Sequence, residues 1–251
     1  MRILSSGTAS RTARRNRLTP PSRDNPVVTV SPDDHGFPLG FFRRADESTD
    51  DGFYAADRLV THIDDRAIAA VGALYEHLGL SGRVLDLMSS WISHFRTPPT
   101  ELWVLGMNDR ELAANVAATS RRVHDLNADP RLPFADSRFE ATTCCVSIDY
   151  LTQPIEVFRE VNRVLVDGGL FVCTFSNRCF PTKAIHGWLA SDDRGRRAIV
   201  AEYFRRSGGW TDPIAAQCTP PGTPGDPLFA VWATRQPRSV TGTTTTPANP
   251  A

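Results

Sequence analysis

Short apolar runs alternate along this chain with segments of helical spacing, and that alternation restricts the fold more than any other feature. Arg83-Val84-Leu85-Asp86-Leu87 is one such run and Glu101-Leu102-Trp103-Val104-Leu105-Gly106 a second. Arg121 to Asp125 reads as a weak third strand, Phe139 to Ile148 as a fourth and Leu170 to Phe175 as a fifth. Apolar residues at Leu59, Ile63, Ala67, Ala70, Leu74 and Leu78 predict a helix from Tyr54 to Leu78, stopped by Gly79. Asp109 to Ala118 predicts a second helix. Pro154 opens a third through Leu165, because the fixed proline φ suits a first turn. Asp167-Gly168-Gly169 is expected to be a turn, and Thr182 to Arg206 a long, broken helix. Ala215 to Cys218 and Leu228 to Thr234 flank a Pro/Gly-rich loop and are expected to pair as a hairpin. Strands alternating with helices imply an α/β domain with a mostly parallel sheet and helices on both faces; the terminal hairpin adds antiparallel strands.

The 251 residues, 41% of them hydrophobic, suit one such domain with tails. Residues 1–45, rich in Arg, Pro, Ser and Asp, are expected to be a flexible segment, 46–236 the domain, and 237–251 a disordered tail. Within the first segment Phe37-Pro38-Leu39-Gly40-Phe41-Phe42 is an apolar cluster expected to dock on the domain. Lys+Arg and Asp+Glu are both 28, so the basic excess of a nucleic-acid binder is missing and no nucleic-acid partner is expected. No apolar run approaches the ~20 residues needed to cross a bilayer, so no membrane partner is expected either. The basic N-terminus lacks the apolar stretch of a secretory signal and reads as a tail. The five cysteines form no Cys-x-x-Cys, which argues against structural zinc and for a reducing cytoplasm. No metal site is expected, and oligomeric state is not legible.

Ligands of such sheets bind beyond the carboxyl ends of the strands, so the residues after each strand are the candidates. Asp86 is placed to orient the following loop or a ligand ammonium, or to cap a helix. Asn108 stands where it could cap the helix from Asp109, and Asp125 where it could form an Asx-turn. After the fourth strand, Asp149 is a candidate general base, with Ser147 and Tyr150 beside it. After the fifth, Asn177, Arg178, Cys179 and Lys183 could hold a polar or anionic substrate. Tyr54, His62 and His94 are further substrate candidates, whereas Cys144 and Cys145 read as buried apolar residues.

Several of these blocks occur in the order and spacing of a known family. Val84-Leu85-Asp86-Leu87 resembles a first strand ending in an acid before a cofactor loop. Asp125-Leu126-Asn127-Ala128-Asp129, then Leu132-Pro133-Phe134 leading to Phe139-Glu140, resembles the segment after strand three. Glu156 to Leu165, with Asp167-Gly168-Gly169, is similar to the helix and turn before strand five. Together they resemble the class I S-adenosylmethionine-dependent methyltransferases, from about Phe53 to Arg235, in a branch with a Ser-Ser-Trp loop. The resemblance implies a Rossmann-like fold and S-adenosylmethionine as cofactor. It implies cofactor contacts from Asp86, Met88, Ser89, Ser90, Asn108 (ribose), Asp125 (adenine), Leu126 and Ser147. Two departures stand out. Met88-Ser89-Ser90-Trp91-Ile92 has no glycine where the family has a glycine-rich loop, so Met88 and Trp91 could fill the cofactor space. Asn108 replaces the ribose-binding acid. The family's Asn/Asp-Pro-Pro-Tyr/Phe motif, typical of methylation at planar amino groups in bases or glutamine, is replaced after strand four by Ser147-Ile148-Asp149-Tyr150, which points to a small-molecule methyl acceptor. A non-catalytic methyltransferase-like scaffold is the alternative; a nicotinamide enzyme is disfavoured because no Gly-x-Gly-x-x-Gly follows the first strand.

Overall fold

The computed structural model describes residues 35–238. Seven strands form one sheet in the order β3-β2-β1-β4-β5-β7-β6. They are β1 (Arg83–Leu87), β2 (Glu101–Gly106), β3 (Ser120–Val123), β4 (Phe139–Cys145), β5 (Leu165–Phe175), β6 (Ile214–Gln217) and β7 (Phe229–Thr234). The first five are parallel; β7 pairs antiparallel with both β5 and β6. The chain lays β2 and β3 to one side of β1, then returns to place β4 and β5 on the other. The switch point therefore lies between β1 and β4.

Side-chain alternation divides the core into two layers. Leu85, Leu105, Phe171 and Phe175 face the helices α4 (Pro154–Val164), α5 (His186–Leu189) and α6 (Asp193–Ser207). Val84, Leu102, Val104 and Val172 face α2 (Asp65–His77), whose Ala67, Val71, Leu74 and Tyr75 are buried there, and Leu112 of α3 (Asp109–Ala114). On the first face Phe158 of α4 stacks edge-on against Phe171 and Phe204 at centroid distances of 4.8 Å. The expected mixed sheet, helices on both faces and terminal hairpin are all present.

Two elements differ from expectation. The helix predicted from Tyr54 divides into α1 (Asp50–Tyr54) and α2, because Asp64 accepts the Ala67 amide and caps α2 at that point. Leu59, counted into the helical stripe, is 55% exposed. The Asp167-Gly168-Gly169 turn is absorbed into β5, where a register shift opposite Phe139 and Ala141 and the positive φ of Gly168 accommodate it. The long helix of 182–206 is broken, as expected, into α5 and α6.

Residues 35–45, inside the segment expected to be flexible, lie packed on the domain. Phe37 is buried among Phe41, Phe42 and Tyr203, under the Arg206 guanidinium. The Phe41 ring lies against Gly187, where any Cβ would overlap it. Backbone hydrogen bonds from His186 to Arg43 (2.7 Å), Gly187 to Phe41 (2.9 Å) and Asp46 to Thr182 (2.9 Å) complete this strap. The remainder of the 1–45 segment, and the tail from 239, lie outside the described residues.

Asp64 also exchanges hydrogen bonds with Asp226: its amide donates to the Asp226 carboxylate (3.0 Å), and its own carboxylate accepts the Asp226 amide (2.8 Å). Asp64→Ala is expected to destabilise the protein by about 1–2 kcal/mol, the usual worth of such a cap. Denaturant unfolding checks this; unchanged stability would mean that the cap does not set the start of α2.

Candidate active site

A cavity of about 600 Å³ opens at the carboxyl ends of β1, β2, β3, β4 and β5, around the switch point. Its floor is formed by the residues that leave those strands: Leu87 and Met88, Gly106 and Met107, His124 and Asp125, Cys145 to Ser147, and Asn177. Asp50, Tyr54, Arg58 and the run Val60 to His62, contributed by α1 and the chain before α2, wall it from the other side.

Asp86 is the most enclosed polar group of the floor, 2% exposed. Its Oδ2 accepts the hydroxyls of Ser89 and Ser93, and its Oδ1 that of Thr143 on β4, all at 2.7 Å. Burial pushes its carboxyl above the ordinary range, and the three hydroxyls oppose that shift. Ser93 in turn accepts from the Asn115 amide (2.8 Å), which also donates to the Ser90 carbonyl (3.0 Å). No helix follows this loop: the chain from Met88 to Thr100 is irregular. The Ser89 amide donates to Leu105 (2.8 Å), and a Cβ at Gly106 would overlap the Ser89 carbonyl oxygen, so the loop and the end of β2 touch through backbone alone. Met88, His94 and Val146 all have positive φ and all line the cavity; for β-branched Val146 that conformation is strained.

The other cofactor candidates lie on the same cavity. Asn108 is fully engaged: its Oδ1 caps α3 by accepting the Arg110 and Glu111 amides, and its Nδ2 donates to Tyr54 and Asp57. Asp125 forms the expected Asx-turn, Oδ1 accepting the Asn127 amide at 2.8 Å, and Leu126 is buried beside it. The Ser147 hydroxyl donates to the Cys145 carbonyl (3.1 Å). Of the catalytic candidates, Tyr150 lines the cavity and its Oη accepts the Phe180 amide (2.9 Å). Asp149 does not line it. Its side chain turns into the protein from the 3-10 turn Ile148–Tyr150, where Oδ2 has no hydrogen-bond partner and burial pushes the carboxyl up to about 7.

Among the substrate candidates, Tyr54, His62, Asn177 and Arg178 line the cavity. Lys183 does not. It is completely buried and held by Asp46 (3.0 Å), Asp50 (3.1 Å) and the Ser48 carbonyl (2.9 Å), because a desolvated ammonium needs carboxylate partners. Asp50 also takes both of its oxygens to Arg44 (2.9 Å) and accepts from Asn127 (2.9 Å). Burial raises its carboxyl, but these donors outweigh that and hold it below the ordinary range. Sequence reasoning did not single out Asp50, Arg58, Glu111 or Phe180 as site residues. Glu111 accepts the Ser90 hydroxyl (2.6 Å) and the Arg58 amide (2.7 Å). Its place in the first turn after an N-cap was the one available signal. Phe180 stacks against Phe53, His62 and Tyr150, and Arg58 lies over Phe53 at 4.6 Å.

Residues 101–173 match the methyltransferase domain family. That segment runs from β2 into β5. The fold is the Rossmann-like one of S-adenosylmethionine-dependent methyltransferases, as the sequence blocks led us to expect. A Thermotoga maritima structure described as an S-adenosylmethionine-dependent methyltransferase, possible histamine N-methyltransferase, superposes with a TM-score of 0.50 at 13% identity, over 68% of this chain and 88% of that one. A methyltransferase solved in complex with a methyltransferase activator from Haloferax volcanii gives 0.49 at 16% identity, over 68% and 90%. An S-adenosylmethionine-dependent methyltransferase from Mesorhizobium loti gives 0.45 at 16% identity, over 66% and 98%. No curated protein sequence matches the chain. Among the described residues, no three His, Cys, Asp or Glu side chains gather as a metal site, and no helix is long and apolar enough to cross a membrane.

The buried Asp149 carboxyl has a consequence for stability. The folded state keeps its proton up to about pH 7, while the unfolded chain releases it near the ordinary value of 3.8. Folding therefore loses stability as pH rises between those values, and the loss levels off above the upper one. Asp149→Asn removes this dependence. Its melting temperature is expected to match wild type near pH 4 and to exceed it by several degrees at pH 8; a difference that does not change with pH would refute the assignment.

Proposed function

We propose that this protein is an S-adenosylmethionine-dependent methyltransferase acting on a small-molecule acceptor in the cytoplasm. The observation that carries the reading is the cavity itself. Its volume falls within the range of about 300–1,000 Å³ usual for ligand sites, and it is floored by the ends of five parallel strands at their switch point. The residues present fit the cofactor. Asp125 spends only one carboxylate oxygen on its own turn and can accept from an adenine amino group. Gly106 leaves the loop and the strand end in backbone contact, and Asp86 fixes the loop between them. Asn108, whose amide is engaged, contributes to a ribose through the position of α3 and not through a free side chain.

When bound, the cofactor supplies a methyl group on a sulfonium that is already activated for in-line transfer. The chain's own task is then to position the acceptor and manage its proton. Tyr54, His62, Tyr150 and Phe180 provide ring surfaces on the cavity wall, suited to a partly apolar acceptor. Burial holds the Tyr150 phenol protonated, so it keeps a proton to donate while its oxygen accepts the Phe180 amide. Burial also holds His62 below its ordinary value, which leaves it neutral near pH 7 and able to accept a proton from a hydroxyl or amine acceptor. Asp149, which does not reach the cavity, acts only by seating the 3-10 turn: its carbonyl accepts the Ile185 amide (3.0 Å). The balanced charge supports a small molecule over a nucleic acid, and five free cysteines support a reducing compartment.

A glycine-free loop that turns its hydroxyls inward also suits a scaffold that has lost catalysis. One titration separates the two readings. Calorimetry with S-adenosylhomocysteine is expected to give micromolar binding, about −8 kcal/mol. Asp125→Ala is expected to weaken it about tenfold, or ~1.4 kcal/mol. No heat and an unshifted melting temperature would favour the scaffold.

A further inference from the structure

The loop after β1 does not offer the amino-acid end of a cofactor what a glycine-rich loop would. The hydroxyls of Ser89 and Ser93 donate to Asp86, that of Ser90 donates to Glu111, and the Ser89 amide donates to Leu105. No helix follows, so no helix N-terminus faces the cavity from this loop. Of the arginines on the wall, Arg58 is hydrogen-bonded and Arg178 is not. Arg58 donates to the Phe53 carbonyl (2.7 Å) and lies over the Phe53 ring, while Arg178 leans toward Asp226 (3.7 Å). The serine side chains of the loop therefore leave no free hydroxyl for a carboxylate beside them.

The same irregular segment brings His94 to the cavity wall. Its backbone is held at φ 55°, and its carbonyl lies close over Gly72 of α2. The next residue, Phe95, packs on Tyr75 at 4.7 Å. The ring is therefore set on a fixed piece of backbone. Its Nδ1 is buried with no hydrogen-bond partner. Placing protons on both ring nitrogens would leave a buried N–H unmatched, so the favoured form is the neutral ring with its proton on Nε2. Burial, with His62 nearby, likewise holds His94 below its ordinary value.

We propose that His94 takes over the missing glycine loop's task, donating from Nε2 to the α-carboxylate of the cofactor's amino-acid end. The proposal rests on reading the cavity as an S-adenosylmethionine site. It assigns to a side chain a contact that glycine-rich loops make with backbone, and it gives a use to a ring that the left-handed turn at His94 sets on the cavity wall.

The test is calorimetry of the full-length protein with two probes. S-adenosylhomocysteine carries the amino-acid end; 5′-methylthioadenosine has the same adenosine without it. His94→Asn suits the left-handed backbone but is too short to reach as Nε2 does. His94→Gln restores a donor at about that reach. H94N is expected to weaken S-adenosylhomocysteine about tenfold or more while leaving methylthioadenosine within about twofold, and H94Q to recover part of the loss. Unchanged S-adenosylhomocysteine binding in H94N, or an equal loss for both probes, would overturn the proposal and leave the cofactor site standing. Wild-type protein that binds neither probe would remove the cofactor reading and the proposal with it.

Discussion

A carboxylate with almost no access to water must be satisfied by protein donors, and the way Asp86 is satisfied organises this molecule. One oxygen joins it to Thr143 and so to β4; the other gathers Ser89 and Ser93 from the loop that leaves β1. Through Ser93 the network reaches Asn115, and through Asn115 the Ser90 carbonyl and the end of α3. The strands on both sides of the switch point and the loop between them are thus tied to one buried charge. The loop needs no helix behind it because its hydroxyls are fixed from below. The cavity floor owes its shape to that fixing more than to local conformational preference, which is why Met88 and Val146 can be held in backbone conformations that their side chains disfavour.

What was legible in the sequence was whatever burial alone dictates. The runs at Val84 to Leu87 and Leu102 to Gly106 could only be inner strands. The Pro154 helix starts and stops where its proline and apolar stripe indicate, and the terminal hairpin follows from its flanking loop. What was not legible depended on partners far away in the chain. Leu59 and Ile63 fit a helical stripe, yet Asp64 finds Asp226 and starts α2 only at Asp65. Asp149 and Lys183 stand directly after strands, where ligand-binding residues belong. Lys183 takes its counter-charges from Asp46 and Asp50, and Asp149 is closed in with one oxygen unpartnered, neither of which a local pattern announces. Asn108 could be read two ways, and the capping role holds its amide.

The site residues that did gather on one cavity come from five strand ends, and strand ends are what a parallel sheet brings together. Placing Asp125, Ser147 and Tyr150 there required only the topology. The walls contributed by Asp50, Arg58 and His62 required the path of the chain before α2, and that path is set by ion pairs.

The strap gives the domain an edge that the family match does not mark. Matching begins at residue 101, yet Lys183 depends on Asp46 and Asp50 for its counter-charges, and Gly187 is left bare so that Phe41 can cover it. A fragment that kept the sheet and its covering helices but lost the strap through α1 would carry an orphaned ammonium in a dry pocket and an open aromatic seam along α6. The strap and the sheet are therefore one folding unit: the lysine draws its counter-charges from Asp46 and Asp50, and the glycine leaves the space that Phe41 fills.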